Sequence, residues 1–170
     1  SNYGYVLLGR IIEKVSGESY YDFVAKHIFA PAGMNDTGSD PEDVPVPHRV
    51  IAYTRKGGQW SSAQDMPYRG TAGGGGYTTI RDMLKFARAL RSEKLLPGRL
   101  LAEATTAQDH RGGTGYGFEL RGKGVLQSYG KNGGAPGQNA QFRVYPALDR
   151  VIIVLSNFDP NVADTLATFY

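Results

Sequence analysis

The chain has no cysteine among its 170 residues, which excludes disulfides, thiolate nucleophiles and cysteine-based metal sites. Long apolar runs are absent too, since no stretch reaches the roughly 18 residues of a membrane-spanning helix. Histidine is scarce, and His27, His48 and His110 show no metal-ligand spacing. The composition therefore predicts no metal site, no cofactor and no membrane span.

Positive charge is present but dispersed. The formal net charge is +3, and Arg55-Lys56 is the only adjacent pair of lysine or arginine residues. Because no basic run or basic helix face exists, nucleic acid is a poor candidate partner. A chain of this length with 41% hydrophobic residues suits one globular unit with one core, which we take as residues 1–170. The first residues show neither a charged segment nor an apolar signal-peptide core.

The first segment has the apolar spacing of an amphipathic helix. Leu8, Ile11, Ile12 and Val15 recur at i, i+3, i+4 and i+7, and this spacing predicts that they face a core. Gly17 follows as a helix stop.

The next segments predict a short helix and then a long loop. Ser19 is placed to cap the helix, which is expected to end in a turn at Pro31. Residues 35–72 are rich in Asp, Pro, Gly and Ser and predict a long loop containing one short strand at 49–54. Trp60 lies in this loop, where packing the loop down is a better interpretation than stacking on a ligand.

A strong helix signal follows the glycine-rich run at 73–76. Thr79 and Asp82 have the spacing of a capping box. The expected apolar stripe consists of Ile80, Met83, Leu84, Ala87 and Leu90. A further short helix is expected around 99–106. The glycine run lacks the G-x-x-x-x-G-K-[ST] pattern, so a phosphate cradle is disfavoured.

From Gly115 the apolar pattern changes to that of strands. The predicted strands are 116–120, 125–129, 138–145 and 151–155. Short connections imply antiparallel pairing, and the run 151–155, apolar on both faces, predicts a central strand. A last helix begins near Asn161. The fold class is α+β: residues 1–110 are mainly helical, and 111–170 supply an antiparallel sheet and the start of a C-terminal helix.

Four segments of the chain carry motif-like patterns in a fixed order. They are Ser1-Asn2 with the helix behind it, Ala32-Gly33-Met34-Asn35-Asp36-Thr37, Ala72 to Met83, and Gly130-Lys131-Asn132-Gly133-Gly134-Ala135-Pro136-Gly137. Together they resemble serine β-lactamase-like proteins, the family of class C β-lactamases, penicillin-binding carboxypeptidases and esterases. The first is similar to the segment that follows the tyrosine of a Y-x-N motif, and the last to the K-T-G or H-x-G element. The resemblance implies a portion of the β-lactamase/transpeptidase-like fold.

The resemblance also implies serine acyl transfer through an acyl-enzyme. Asn2 would be the asparagine of Y-x-N. Lys131, Asn132 and Gly133 would form the third motif, in which the lysine binds a substrate carboxylate and the other two residues bind substrate. The backbone N–H of Gly134 would be one oxyanion-hole donor. A lysine at this motif favours carboxylate-bearing substrates such as lactams or peptides.

Two parts of the family's machinery are missing from the chain. The motif tyrosine would lie one residue before Ser1, and no S-x-x-K nucleophile is present on a helix. The one match, Ser128 to Lys131, falls on a predicted strand that enters a glycine-rich turn, and it is rejected. No G-x-S-x-G elbow exists as an alternative.

These observations leave two functions open: a part of a serine acyl hydrolase acting on β-lactams, esters or D-alanyl peptides, or a non-catalytic ligand-binding relative. Expected partners are a small-molecule or peptide acyl substrate and an N-terminal portion of the same protein that supplies the nucleophile. The isolated chain is expected to be inactive and to expose a sheet edge. The resemblance suggests a periplasmic or secreted protein.

Overall fold

The structure, a computed structural model, describes residues 1–63, 68–110 and 112–168. Its architecture is α+β, with helices followed by an antiparallel sheet and a C-terminal helix, as the sequence predicts. The helices are α1 (Asn2–Ser16), α2 (Tyr20–Val24), α3 (Ala30–Ala32), α4 (Ile80–Arg91), α5 (Gly98–Ala104) and α6 (Val162–Ala167). The strands are β1 (Tyr53–Lys56), β2 (Gln59–Ser62), β3 (Glu119–Arg121), β4 (Ser128–Ala135), β5 (Gln138–Tyr145) and β6 (Arg150–Ser156).

Helix α1 has the predicted ends but not the predicted packing. Ser1 caps it through a hydrogen bond from the Gly4 N–H to its hydroxyl, and Gly17 ends it. The expected core stripe is wrong for three of its four residues, because Leu8, Ile11 and Val15 are exposed, Val15 to 83%. No element in the described part of the chain covers this face.

The second helix continues past the predicted stop at Pro31. A π-helical turn, Ala25–Phe29, follows α2 and leads directly into α3, which contains Pro31. Pro31 lies inside this continuous helical segment, and the change to π-helical hydrogen bonding directly before it accompanies the missing proline N–H. The Met34 N–H closes the segment with a bond to the carbonyl of Phe29 at 2.9 Å.

The long loop 35–72 contains a hairpin rather than the single strand expected at 49–54. Strand β1 begins only at Tyr53 and pairs antiparallel with β2, so that Arg55 faces Trp60. The Trp60 ring packs against Phe158 with centroids 5.0 Å apart. The tryptophan therefore fastens the hairpin to the end of β6, in line with a packing role.

Helix α4 is anchored by a buried carboxylate. Thr79 caps the helix by accepting from the Asp82 N–H, as predicted, but the Asp82 side chain turns away from the cap. It accepts from the Asp36 N–H at 2.7 Å, from the Thr37 hydroxyl at 2.9 Å and from the Lys85 ammonium at 2.7 Å. Asp82 is fully buried, whereas Ile80, expected in the apolar stripe, is exposed.

The main sheet has the order β3-β4-β5-β6, and every neighbouring pair is antiparallel. One face of this sheet packs on α4. The core between the sheet and α4 consists of Ala87, Tyr129, Phe142 and Val144, with Met83, Phe86, Phe118, Leu120, Val151 and Ile153 packed against them. Helix α6 packs on β5 and β6 from the opposite face.

Three strand predictions need correction. The segment 116–120 forms strand only from Glu119, and 125–129 begins as a 3-10 turn (Gly124–Leu126) before β4 starts at Ser128. Strand β6 is not central, since in the described residues it pairs only with β5. It is apolar on both sides because α4 contacts one face and α6 the other.

Asp159 joins the small hairpin to the main sheet. Its carboxylate accepts from the Thr54 hydroxyl at 3.0 Å, from the Arg55 N–H at 2.9 Å and from the Gly137 N–H at 2.8 Å. The two backbone hydrogen bonds hold the pKa of Asp159 below its ordinary value, so it is ionised at neutral pH. One side chain thus fixes the position of β1 relative to the turn between β4 and β5.

None of the helices in the described ranges has the length and apolarity needed to cross a bilayer.

Candidate active site

The second half of β4 has one free edge. Strand β3 pairs only with Ser128 to Gly130, whereas β5 pairs with β4 from Tyr129 to Ala135. Residues 131–135 therefore lack a strand neighbour on one side, within the described chain. Such an edge presents unpaired backbone N–H and C=O groups to an incoming extended segment or acyl group.

The glycine-rich element is strand, not the turn that the sequence suggested after Lys131. Gly133 and Gly134 continue β4, and the chain reverses only at Pro136-Gly137. A Cβ at Gly134 would lie 2.7 Å from the Pro160 ring, so a side chain there would collide with the segment before α6. Both glycines are exposed, which leaves the strand backbone open to a ligand.

Lys131 lies at the start of the free edge, on the face of the sheet that carries α4. Its ammonium donates to the Glu119 carboxylate at 2.6 Å and to the carbonyl of Asn132 at 3.0 Å. The lysine side chain is 54% exposed. The predicted cationic residue is therefore accessible, and it already has an anionic partner.

Glu119 collects several donors around one carboxylate. Beside Lys131, the guanidinium of Arg121 approaches to 3.2 Å, and the side-chain amide of Asn132 donates at 2.6 Å when its nitrogen faces the acid. Burial alone would raise the pKa of Glu119, but the hydrogen bond and charge of Lys131, with Arg121, bring the pKa below its ordinary value. Glu119 is thus ionised at neutral pH and orients both polar side chains of the third motif.

Arg143, a buried residue of β5, lies next to the Glu119 carboxylate. It is 3% exposed, and one guanidinium nitrogen stands 3.6 Å from Glu119. Another donates to the Glu119 carbonyl at 3.4 Å. Two of its nitrogens and the side-chain oxygen of Gln141 have no hydrogen-bond partner among the residues that the structure describes. Glu119 is an anionic partner of this buried cation, and separating the two would leave a buried charge poorly compensated.

Asn139 supports the free edge from β5. Its amide nitrogen donates to the carbonyl of Gly133 at 3.0 Å, and its oxygen accepts from the Ala163 N–H at the start of α6. Neither Asn139 nor Glu119 was predicted as a site residue from the sequence. The signals available were an Asn within a predicted strand and an acid two positions before a basic residue on a short strand.

Asn2 lies at the first turn of α1 and is exposed. Its carbonyl oxygen is 2.8 Å from the place where a Cβ at Gly73 would stand, so the glycine-rich run packs against the start of α1. The structure shows no hydrogen bond between Asn2 and residues 131–134 in the part of the chain it describes. Of the site residues predicted from sequence, residues 131–134 are consecutive on β4 and Asn2 is on α1.

Ser128, the rejected nucleophile, is on strand β4 and 2% exposed. Its hydroxyl donates to the carbonyl of Arg121 at 3.3 Å. A nucleophile paired with a lysine one helical turn away needs a helix, so this Ser128/Lys131 pair lacks the required geometry.

Comparison with known proteins agrees with the fold and the motifs. Penicillin-binding protein 4 of Amycolatopsis lactamdurans is 29% identical, in a match that covers 91% of this chain and 45% of that protein. The structure of a penicillin binding protein from Bacillus halodurans superposes with a TM-score of 0.92 at 27% identity, covering 99% of this chain and 54% of that one. A D-stereospecific amidohydrolase from Streptomyces sp. gives a TM-score of 0.77 at 26% identity, covering 94% and 50%.

The two solved structures share the fold of this chain, and the chain spans about half of the length of each of the three relatives. The model of the β-lactamase family matches residues 1–170, the whole chain. The chain belongs to the β-lactamase family.

Proposed function

We propose that this chain is part of a serine acyl hydrolase that works through an acyl-enzyme on esters, amides, β-lactams or D-alanyl peptides. The observation that carries the proposal is the free edge of β4, which begins at an accessible lysine and continues through two exposed glycines. An acyl substrate lying along this edge gains backbone hydrogen bonds and a neighbouring cation. The similarity to penicillin-binding proteins and to an amidohydrolase supports the reaction class.

In this proposal each residue of the site has a defined task. The backbone N–H of Gly134 stabilises the oxyanion, and Gly133 leaves room for the substrate backbone. Asn132 and Asn2 hydrogen-bond the acyl side, and Lys131 supplies positive field to the developing anion. The nucleophile, its general base and a tyrosine beside Asn2 belong to a further portion of the protein.

Exposed apolar surface supports the existence of such a portion. Leu8, Ile11 and Val15 of α1 are exposed, and so is Ile80 on α4. Strand β6 also has a free edge among the described residues. Apolar patches and open edges of this kind mark contacts with other protein. We place this portion before Ser1 and propose that the whole protein acts in the periplasm or outside the cell.

Covalent labelling of the full-length protein tests the proposal. We expect a fluorescent penicillin or a fluorophosphonate to leave a covalent adduct on a serine outside residues 1–170, found by peptide mass spectrometry. The isolated chain should give no adduct and no burst with a chromogenic ester, because it lacks the nucleophile. Labelling of Ser128 would contradict the assignment. A folded full-length protein that binds penicillin without an adduct would instead be the non-catalytic, ligand-binding relative.

A further inference from the structure

The acid opposite Lys131 changes what this site favours as a substrate. The Lys131 ammonium is 2.6 Å from Glu119, and the Asn132 amide is directed at the same carboxylate. A substrate carboxylate aimed at Lys131 would therefore have to share this cation with an acid that already binds it. It would also come close to a second negative charge.

Two arginine side chains restrain the position of the Glu119 carboxylate. Arg121 holds it at 3.2 Å, and the buried Arg143 approaches it at 3.6 Å from within the sheet. Among the described residues, loss of the acid would leave Arg143 with no anionic neighbour at this distance, and a buried unpaired cation is strongly unfavourable. Arg121 also reaches Asp164 on α6, at 3.3 Å, which restricts the guanidinium. The carboxylate is fixed from behind while Lys131 approaches it from the solvent side.

We propose that Glu119 is a specificity-determining residue that directs this site away from carboxylate-bearing substrates and toward neutral acyl esters and amides. The proposal rests on the function proposed above and names its substrate class. A neutral acyl group lying on the β4 edge leaves the Lys131–Glu119 pair intact. An anionic substrate has to share Lys131 with Glu119, and the Glu119 carboxylate repels it. This reverses the preference that a lysine at the third motif suggests by itself.

A pair of matched substrates tests the proposal in the full-length protein. Two thioesters with the same acyl group are compared, one releasing mercaptoacetate and the other its methyl ester, with the thiol detected by a chromogenic reagent. For the Glu119→Gln variant we expect the ratio of kcat/KM, anionic over neutral, to rise about tenfold, mainly through KM. Glu119→Asp, which keeps the charge, should stay close to wild type.

Glu103→Gln is the matched control, because it removes the same charge from an exposed position on α5. Its ratio should equal that of the wild type. An unchanged or lower ratio for Glu119→Gln would overturn the proposal, since it would mean that Glu119 is neutral toward anions or prepares Lys131 for them. The far-UV circular dichroism of each variant checks that it is folded.

A binding measurement keeps the test independent of catalysis. If the full-length protein neither forms an adduct nor turns over either thioester, the hydrolase proposal fails. The dissociation constants of benzylpenicillin and its methyl ester then take the place of the kinetic ratio. We expect Glu119→Gln to favour the free acid by about tenfold relative to wild type. An equal preference in both proteins would reject the role of Glu119.

Discussion

Replacing Asp82 by alanine should lower the free energy of unfolding by about 2–4 kcal/mol, because it removes the acceptor from a buried hydrogen-bond network. The Asp36 N–H and the Thr37 hydroxyl would lose their acceptor, and Lys85 would lose the carboxylate at 2.7 Å. These groups tie α4 to the turn after α3, so the loss extends to helix packing. Urea unfolding followed by far-UV circular dichroism measures the effect.

Asp36→Asn is the control for this variant. The Asp36 side chain is exposed, and only its backbone N–H contacts Asp82. Its stability should lie within about 0.5 kcal/mol of the wild type. Equal effects of the two substitutions would show that the buried network contributes nothing beyond general charge removal.

The same network predicts a dependence on pH. Burial alone would raise the pKa of Asp82, but hydrogen bonds from Lys85, from the Asp36 N–H and from Thr37 bring it below its ordinary value. The stability contributed by such a group is fully present above the unfolded-state pKa of about 4, and it is lost as pH falls through the lower folded-state pKa. The difference in unfolding free energy between wild type and Asp82→Ala should therefore shrink below about pH 4.

Gly130→Ala should lower the free energy of unfolding by about as much as Asp82→Ala, for a steric reason. A Cβ at this position would lie 2.0 Å from the carbonyl oxygen of Phe142 and 2.9 Å from the Cα of Arg143. Both atoms belong to the backbone of β5, so no side-chain rotation relieves the overlap and the β4–β5 pairing must shift. We expect a loss of about 3 kcal/mol or more in urea unfolding.

Gly133→Ala provides the same chemical change in the same strand without the overlap. A Cβ there meets nothing within 4 Å. Its unfolding free energy should stay within about 0.5 kcal/mol of the wild type. If the two alanine variants unfold at the same urea concentration, the close approach of β4 to β5 at Gly130 is not what makes glycine necessary.

Local signals in the sequence predicted much of the fold. Gly17 and the capping residues Ser19 and Thr79 mark helix ends through hydrogen bonds that span only a few positions, so the sequence alone is enough to find them. Strand β5 has the predicted range, 138–145. Its residues alternate between the two faces of the sheet, and this alternation of two is visible in the sequence. The order of helices before strands then predicted the α+β class.

Features that depend on distant contacts could not be predicted. Asp82 looked like a capping-box partner, yet its acceptors are filled from Asp36 and Thr37, which lie more than forty positions away. The glycines of the third motif indicated a turn, but pairing with β5 keeps them in a strand. Glu119 reaches Lys131 only through the register between β3 and β4. The exposed face of α1 is likewise invisible to periodicity, which reports that a face is apolar but not what covers it.

The carboxylate of Asp159 has a consequence for how the protein tolerates change in sequence. It fastens the middle of β1, at Thr54 and Arg55, to Gly137, at the turn that ends β4. The tip of the hairpin, at Gly57-Gly58, has open space around it. Residues inserted at the tip should leave the β4 edge undisturbed, whereas an insertion beside Thr54 would pull on the turn that sets the edge's position. The tip of the hairpin can therefore vary in length without moving the β4 edge, whereas the part of β1 that Asp159 binds cannot.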